Sequence, residues 1–549
     1  MILLLLAADL FLVHGRVHTL DPARPSANAV LIRGERILAV GNASNLRSLA
    51  SGDVRVIDLG GRAVLPGLID THTHLFDAMK SRVAGNLDVG IPGVRSLAEA
   101  VAAVKERVAA TPRGQWVVGD GWGESKWPER RYIRKADLDP VSPEHPVYLE
   151  HVSGHAATLN SAGLRQSGIT RDTPDPPGGA IERGPDGEPT GVLKDNAMGL
   201  AVIERKLLTP EELLAVAERA GREAAAAGLT TIHNSILPIE DAKTYIKADS
   251  QGRLKVRVLA IPFVPSQGTE AALAELRALG VKTGGRAGRV SWGGVKFICD
   301  GGMAAKTIAV SPPGPVGDAK NLGLLGWETP QLIAAMKAVR AMGWQITAHA
   351  IGDRAIAQVL DALESALGPD PGDHRSRIVH CGVTTPLLLD RIRRLGVLVD
   401  HNPPFTYWIG DWFRNYGRDR VAISYRGKSY EDRGIVVSAG SDVGVTPLDP
   451  WWGIWSAVER QEYRTGEVLA PGERVDVATA LKWYTQGGAY AGFEEKDKGA
   501  ITPGRLADLI VLDRDPWTIP AAELKDVKVV ATLVGGELVH DSVALGAGR

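Results

Sequence analysis

Cysteine is almost absent from this 549-residue chain, which contains only Cys299 and Cys381. Two cysteines so far apart in sequence cannot build a disulfide framework or a zinc site made of cysteine thiolates. A chain without a disulfide framework is typical of a reducing compartment, so the sequence predicts a cytoplasmic location.

The chain also lacks an excess of charge of either sign. Its 63 basic and 64 acidic residues leave a formal net charge of −1, which argues against nucleic acid or a membrane surface as a partner. It contains no apolar run of the roughly 18 residues that a membrane-spanning helix needs. Residues 1–8 are apolar but have no basic segment and are followed by Asp9, so we interpret them as a strand and not as a signal peptide.

Short strand-like segments occupy both ends of the chain. Residues 29–40 contain two β-type runs around a turn at Gly34, a pattern that is typical of a hairpin. Residues 506–512 and 527–534 have the same character near the other end. The sequence therefore predicts one small β-domain assembled from residues 1–63 and 497–549.

The middle of the chain repeats a helix followed by a strand. Thr-Pro pairs at 209–210, 329–330 and 385–386 each predict a threonine N-cap with proline at the first helical position, and glycines at 228, 343 and 396 predict the helix ends. Strands are predicted near residues 64–74, 229–234, 255–261, 289–298, 345–349, 377–381, 397–402 and 435–442. Eight such strands favour an α/β fold, a (β/α)8 barrel over residues 64–496.

A long segment separates the first two predicted strands. It covers about residues 76–225, far more than one helix requires. We interpret it as an insertion over the mouth of the barrel, either a lid over the substrate or an ordinary decoration or oligomer contact. Trp122 and Trp127 within it are expected either to line a substrate pocket or to build the core of the insertion.

Two histidines follow the first apolar strand of the predicted barrel. His72 and His74 are two residues apart, and side chains alternate along a strand, so both imidazoles leave it on the same side. Two imidazoles that converge at a strand end form half of a divalent-metal site.

Residues able to bind metal follow other predicted strands as well. They are Lys296, His349, His380 and Asp442. Because the strand ends of one barrel converge on one pocket, these side chains are expected to meet the histidine pair. Asp442 is either a metal ligand that also accepts a proton from water, or a capping or turn residue.

Lys296 lies in mid-strand, where a bare ammonium group is costly to bury. It either pairs with a carboxylate such as Asp300, or it loses its proton and adds carbon dioxide. The resulting carbamate has two oxygens and is able to bridge two metal ions. The residues alone leave both alternatives open.

These motifs resemble the amidohydrolase superfamily and, more closely, the amidohydrolase-3 (YtcJ-like) family, which includes N-substituted formamide deformylases. The resemblance covers nearly the whole chain. It rests on the segments 65–74, 121–127, 154–156, 295–301, 348–353, 440–442 and 499–508. One departure is Gly302, where relatives lead us to expect serine.

The resemblance implies a distorted barrel with a small β-sandwich domain, and one or two divalent metals with zinc as the expected ion. By analogy, His72, His74 and Asp442 hold the first metal. His349 and His380 hold the second, and carboxylated Lys296 bridges the two.

We hypothesise that the chain hydrolyses a C–N bond of a small-molecule amide, formamide or cyclic amide by means of a metal-activated water. Asp442 would transfer the proton, and His401 or His155 would donate to the oxyanion unless these two are merely structural. The alternatives are a decarboxylase or isomerase on the same barrel and a non-catalytic binding protein. A homodimer is a further expectation.

Overall fold

The computed structural model describes residues 9–50, 54–90 and 93–545. Residues 1–8, interpreted above as a strand, lie outside the described residues, and the first described strand is Asp9–Val13. Among the helices of the described part, none has both the length and the apolar character needed to cross a bilayer.

Two sheets formed by the ends of the chain share one apolar core. The first contains, in spatial order, Arg36–Gly41, Ala29–Arg33, Asp9–Val13 and Val54–Asp58. The second contains Glu537–Asp541, Val529–Val534, Leu509–Leu512, Ala63–Pro66, Arg16–His18 and Ser26–Ala27. Buried side chains from both sheets, such as Leu12, Ile32, Leu509 and Leu533, belong to one cluster. The expected β-sandwich from both termini is confirmed.

Eight parallel strands form the central barrel. They are β1 (Leu68–Thr73), β2 (Leu229–Ser235), β3 (Arg257–Ile261), β4 (Val290–Trp292 with Gly294–Ile298), β5 (Gln345–Ala350), β6 (Arg377–His380), β7 (Leu398–His401) and β8 (Val437–Ala439). Each pairs with the next in chain order, and the N–H of Asp442 donates to the carbonyl of His72 at 2.7 Å. That bond joins the last strand to the first, so the predicted barrel is confirmed.

Two of the predicted strands are interrupted by glycine. The strand predicted over 64–74 consists of Ala63–Pro66 in the terminal sheet and β1 in the barrel, with Gly67 between them. A Cβ atom on Gly67 would lie 2.2 Å from Oγ1 of Thr230 on β2, so only glycine fits this crossing. Gly293 divides β4 in a similar way: its first part pairs with β3 and its second part with β5.

The helices between strands mostly begin as the Thr-Pro pairs predict. Thr209 accepts a hydrogen bond from the backbone of Glu212 at the start of Pro210–Ala226, and Thr385 caps Pro386–Leu395. The prediction for Thr329 is wrong, because Glu328 is the N-cap of Thr329–Ala341. The Thr329 hydroxyl instead accepts a bond from the amide of Gln358 on the next helix.

The other α-helices of the described residues are mostly short. They are Ala43–Leu46, Leu75–Ala84, Leu97–Ala109, Lys135–Leu138, Ser161–Gln166, Ile239–Ser250, Thr269–Leu279, Asp353–Leu367, Phe405–Trp408, Gly410–Phe413, Arg418–Ala422, Gly427–Asp432, Pro450–Glu459, Val477–Lys482 and Gly488–Ala491.

The long segment between β1 and β2 contains a sheet of its own. In spatial order its strands are Gly179–Arg183, Pro189–Asp195, Ala156–Leu159, Val147–His151, Val117–Trp122 and Leu87–Asp88. The segment contacts the loops at the barrel mouth, since the hydroxyl of Tyr132 donates to the carbonyl of Ala304 at 2.7 Å and Lys126 donates to the carbonyl of Trp408. Its boundaries at about 76 and 225, and its use as a lid, stay predictions.

A buried ion pair attaches the terminal sheet to the barrel. Arg257 at the start of β3 donates from Nε to the carboxylate of Asp508 at 2.9 Å, and both side chains are at most one-tenth exposed. The same carboxylate accepts the N–H of Gly535 at 2.7 Å, and the Asp508 carbonyl accepts the N–H of Gly67 at 2.8 Å. The aspartate therefore joins the terminal sheet to β3 through Arg257 and to Gly67, the residue directly before β1.

Replacing Arg257 with alanine should lower the free energy of unfolding by about 3 kcal/mol, because it leaves the Asp508 carboxylate buried without its cation. Urea denaturation measures the change. The control is Lys243→Ala, which removes an exposed pair with Glu240 and should cost less than about 1 kcal/mol. Equal losses in the two variants would contradict a docking role for Arg257.

Candidate metal centre

Three potential ligands meet at the carboxyl ends of the strands. His72 lies near the end of β1, His380 ends β6, and Asp442 follows β8. Their nitrogen and carboxylate atoms lie within 4.8 Å of one another, and all three residues are buried. Two imidazoles and a carboxylate at this spacing form a donor set suited to a divalent transition metal.

The remaining histidines extend this cluster in both directions. Nε2 of His74 lies 3.3 Å from Oδ1 of Asp442, the same distance as Nε2 of His72. The rings of His74, His72, His380 and His349 follow one another with centroid distances of 5.1, 5.2 and 4.7 Å. The structure therefore brings together the four histidines that the sequence analysis proposed as metal ligands.

Burial determines the charge state of these imidazoles. It lowers the pKa of His72 and His380 well below the usual value and also lowers the pKa of His349. The three rings are therefore neutral at physiological pH, and a neutral imidazole has the lone pair that a metal ion requires. Nδ1 of His72 is buried and has no hydrogen-bond partner among the described residues.

Lys296 lies in β4 and is almost fully buried. Burial lowers the pKa of its ammonium group to about 7, although Asp442 and Asp400 favour the charged form. A substantial fraction of this lysine is therefore an uncharged amine at neutral pH, which is the form that adds carbon dioxide.

Asp300, the alternative partner for Lys296, is engaged elsewhere. Its carboxylate accepts hydrogen bonds from the backbone of Ile351, Gly352 and Ala309 at 2.8–3.0 Å. No ion pair between Asp300 and Lys296 occurs in the described part of the chain. Asp300 instead ties the β4 loop to the β5 loop, and its Oδ1 lies 3.2 Å from Nε2 of His349.

Asn402 orients His380, and sequence reasoning did not select it. Its Oδ1 accepts the Nδ1–H of His380 at 2.7 Å, while its Nδ2 donates to the carbonyl of Gly440 at 3.0 Å. The second bond fixes which end of the Asn402 amide faces the His380 ring. Nδ1 of His380 therefore carries the proton, and Nε2 is left to bind a metal ion.

Asp70 ties the first and last strands together beneath the cluster. Its carboxylate accepts the backbone N–H of His72 at 3.0 Å, the N–H of Ser441 at 3.1 Å and the Ser441 hydroxyl at 2.5 Å. Gly440 allows this close approach, because a Cβ atom there would lie 2.5 Å from the backbone nitrogen of His72.

The two further histidines with predicted catalytic roles are placed differently. His401 is buried among Tyr425, Tyr430 and Trp483, with ring centroids 5.6–6.0 Å apart, and burial lowers its pKa to about 3. Strand alternation explains this placement, since the preceding Asp400 faces the barrel interior, where it pairs with Arg377 at 3.2 Å. The structure does not bring His401 to the cluster.

His155 does reach the cluster. Its ring centroid lies 5.2 Å from that of His349, and its Nδ1 lies 2.7 Å from Oδ1 of Asp195. Although burial opposes it, the bond to Asp195 raises the pKa of His155.

The tryptophans of the inserted segment have separate environments. Trp122 is completely buried in the core of the inserted sheet and donates to the carbonyl of Leu149 at 3.0 Å. Trp127 belongs to the same core and also lines a cavity of about 740 Å³. This cavity borders Leu75 and Val443, the residues that follow His74 and Asp442.

The family model described as "Amidohydrolase family" matches residues 55–540. The chain belongs to the amidohydrolase family. This amidohydrolase is 29% identical over 539 residues to the putative amidohydrolase YtcJ of Bacillus subtilis, with 96% of this chain and 98% of the relative covered. It is 30% identical over 553 residues to an N-substituted formamide deformylase of Arthrobacter pascens, with 97% and 98% covered.

Among solved structures, an uncharacterized metal-dependent hydrolase from Pyrococcus horikoshii matches this amidohydrolase with a TM-score of 0.73 and 25% identity. The match covers 94% of this chain and 99% of the solved one. The family and the fold predicted from the sequence motifs are thus confirmed.

Replacing Asn402 with alanine should weaken the binding of a divalent ion, with added Zn²⁺ as the probe, about 10- to 100-fold, because His380 would lose the acceptor that fixes its tautomer and ring orientation. Competition with a chromophoric chelator measures the affinity. Asn321→Ala is the control, since its amide bonds the carbonyl of Lys306. Unchanged affinity in the Asn402 variant would show that His380 is not a ligand.

Proposed function

We propose that this amidohydrolase hydrolyses a C–N bond of a small-molecule amide, N-substituted formamide or cyclic amide with the help of one or two divalent metal ions. The convergence of His72, His380 and Asp442 within 4.8 Å carries the proposal. The relatives support the substrate class, since one is a putative amidohydrolase and another an N-substituted formamide deformylase.

The residues fit the metal that this activity requires. His72, His74 and Asp442 would hold a first ion, and His349 and His380 would hold a second. Burial keeps the imidazoles of His72, His349 and His380 neutral, and Asp442 adds a carboxylate. This donor set suits zinc as the expected ion and also binds other divalent metals.

Lys296 would supply the ligand between the two ions. Its uncharged amine would form an N–C bond to carbon dioxide and release one proton, giving a carbamate with one negative charge. The charge would stay buried beside the ions, so metal binding and carboxylation would favour each other.

During hydrolysis, side chains around the bound carbonyl group would accept and donate the protons. A metal bound at this centre would acidify water and polarise the carbonyl group. Asp442 would accept the proton of the attacking water and return it to the leaving nitrogen. His155, held beside His349, would donate to the carbonyl oxygen as negative charge develops there.

Metal analysis of the purified protein should find one to two equivalents of a transition metal. His72→Ala and Asp442→Ala should retain the fold but lose turnover of N-acyl substrates by at least about 10³-fold, since each removes a ligand. Circular dichroism and metal analysis accompany the assay. His14→Ala, at an exposed pair with Asp58, is the matched control.

An active enzyme without metal would overturn the metal-dependent mechanism. Full activity of the His72→Ala variant would show that the cluster is not the active site.

Hydrolysis in ¹⁸O-labelled water should place the label in the carboxylic acid or formate product, because the attacking oxygen comes from water. Mass spectrometry of the product after a single turnover measures it. A decarboxylase or isomerase on the same barrel would turn over its substrate without incorporating label at a carbonyl carbon, and that result would contradict the proposed reaction.

A further inference from the structure

The inserted sheet brings one polar pair to the barrel mouth. His155 precedes the strand Ala156–Leu159, and Asp195 ends the neighbouring strand Pro189–Asp195. Nδ1 of His155 lies 2.7 Å from Oδ1 of Asp195, and the backbone N–H of Asp195 donates to the carbonyl of His155 at 3.1 Å. Side chain and backbone therefore hold the two residues together.

The backbone of Asp195 is strained. Its φ of 48° and ψ of −126° belong to a region that residues with a side chain rarely adopt. Such a conformation is unfavourable and persists only where the surroundings impose it. The second carboxylate oxygen, Oδ2, is buried and has no hydrogen-bond partner among the described residues. The surroundings thus hold Asp195 in an unfavourable backbone conformation in which its Oδ1 accepts a hydrogen bond from His155.

Two glycines after β4 make room for the pair. A Cβ atom on Gly302 would lie 2.8–2.9 Å from three atoms of the His155 side chain, and one on Gly301 would lie 2.7 Å from Oδ1 of Asp195. Gly302 is the position where relatives led us to expect serine. In this chain the absence of a side chain there lets the imidazole lie directly on the β4 loop.

The ring then lies next to the metal centre. Its centroid is 5.2 Å from that of His349. His155 and Asp195 also line a cavity of about 380 Å³, together with Gly301 and the apolar side chains of Phe263 and Trp327. A substrate group entering this cavity would contact the imidazole of His155.

We propose that Asp195 is a positioning residue of this active site. Its carboxylate accepts the Nδ1–H of the His155 imidazolium, whose Nε2–H is then the donor to the substrate oxygen, and Gly302 provides the space for that ring position. The substrate contact rests on the proposed function above, whereas the His155–Asp195 bond does not.

Proton NMR of the metal-free protein tests the bond without any substrate. The hydrogen-bonded Nδ1–H should give a resonance downfield of the amide region, assigned by its loss in His155→Gln. Asp195→Ala should abolish it and Asp195→Asn, which retains an acceptor oxygen, should shift it. Gly302→Ser should abolish it by displacing the ring, whereas Gly199→Ser, with no atom near its added Cβ, should not.

A wild-type spectrum without that resonance, or one in which it persists in Asp195→Ala, would overturn the proposal. If Gly302→Ser fails to fold, the spectrum of Asp195→Ala alone tests the bond between His155 and Asp195.

Steady-state kinetics on an N-acyl substrate tests the positioning role. Asp195→Ala should lower kcat about 100-fold with little change in KM, because an oxyanion donor acts in the transition state. Metal content should stay at the wild-type value, and Asp195→Asn should restore most of the loss.

Equal kcat values in the alanine and asparagine variants, or a loss that follows metal content, would overturn the role of Asp195 while leaving the hydrolase proposal intact. Failure of the wild-type enzyme to hydrolyse any C–N substrate would instead overturn the proposed function, and the NMR result would still decide the bond between Asp195 and His155.

Discussion

One hydrogen bond closes the barrel and assembles the centre at the same time. The N–H of Asp442 donates to the carbonyl of His72 at 2.7 Å, so the last strand meets the first at the residues that carry the donor atoms. Parallel strands direct their carboxyl ends to one face, and closure brings the first and last of them into contact. Residues separated by hundreds of positions in the chain therefore share one buried cluster.

A second set of polar contacts keeps this arrangement in register. Asp70 binds the backbone of both closing strands, Asn402 orients His380, and Asp300 joins the loops after β4 and β5. Each of these side chains is buried and forms hydrogen bonds to a neighbouring strand or loop. Burial keeps His72, His349 and His380 uncharged, because removing water from around an imidazole disfavours its charged form. The chemistry of the ligands thus depends on residues that would not bind the metal.

Local patterns were enough to predict most of the fold. Period-two spacing places His72 and His74 on one side, and the Thr-Pro pairs place two of three helix starts. The errors have local causes too: Gly67 splits one predicted strand between two sheets because Thr230 leaves no room for a Cβ atom. His401 faces away from the cluster because alternation gives the interior position to Asp400.

Asn402 and Asp195 could not be found from spacing, since their partners are identified only by tertiary contacts. An asparagine or an aspartate without a recurring motif looks like any other polar residue in the sequence. The signal that could have pointed to Asp195 is indirect: Gly302 replaces an expected serine. That missing side chain becomes informative only once His155 is seen to occupy the space.

The crossing at Gly67 has a consequence for how this gene can change. The strand Ala63–Pro66 pairs with Leu509–Leu512 from the far end of the chain, and it lies only six positions before His72. A stop codon ahead of Leu509 would therefore do more than trim a peripheral module. It would remove the pairing partner of the strand that leads into β1 and so to His72. Changes at one end of the coding sequence are therefore constrained by the residues at the other end.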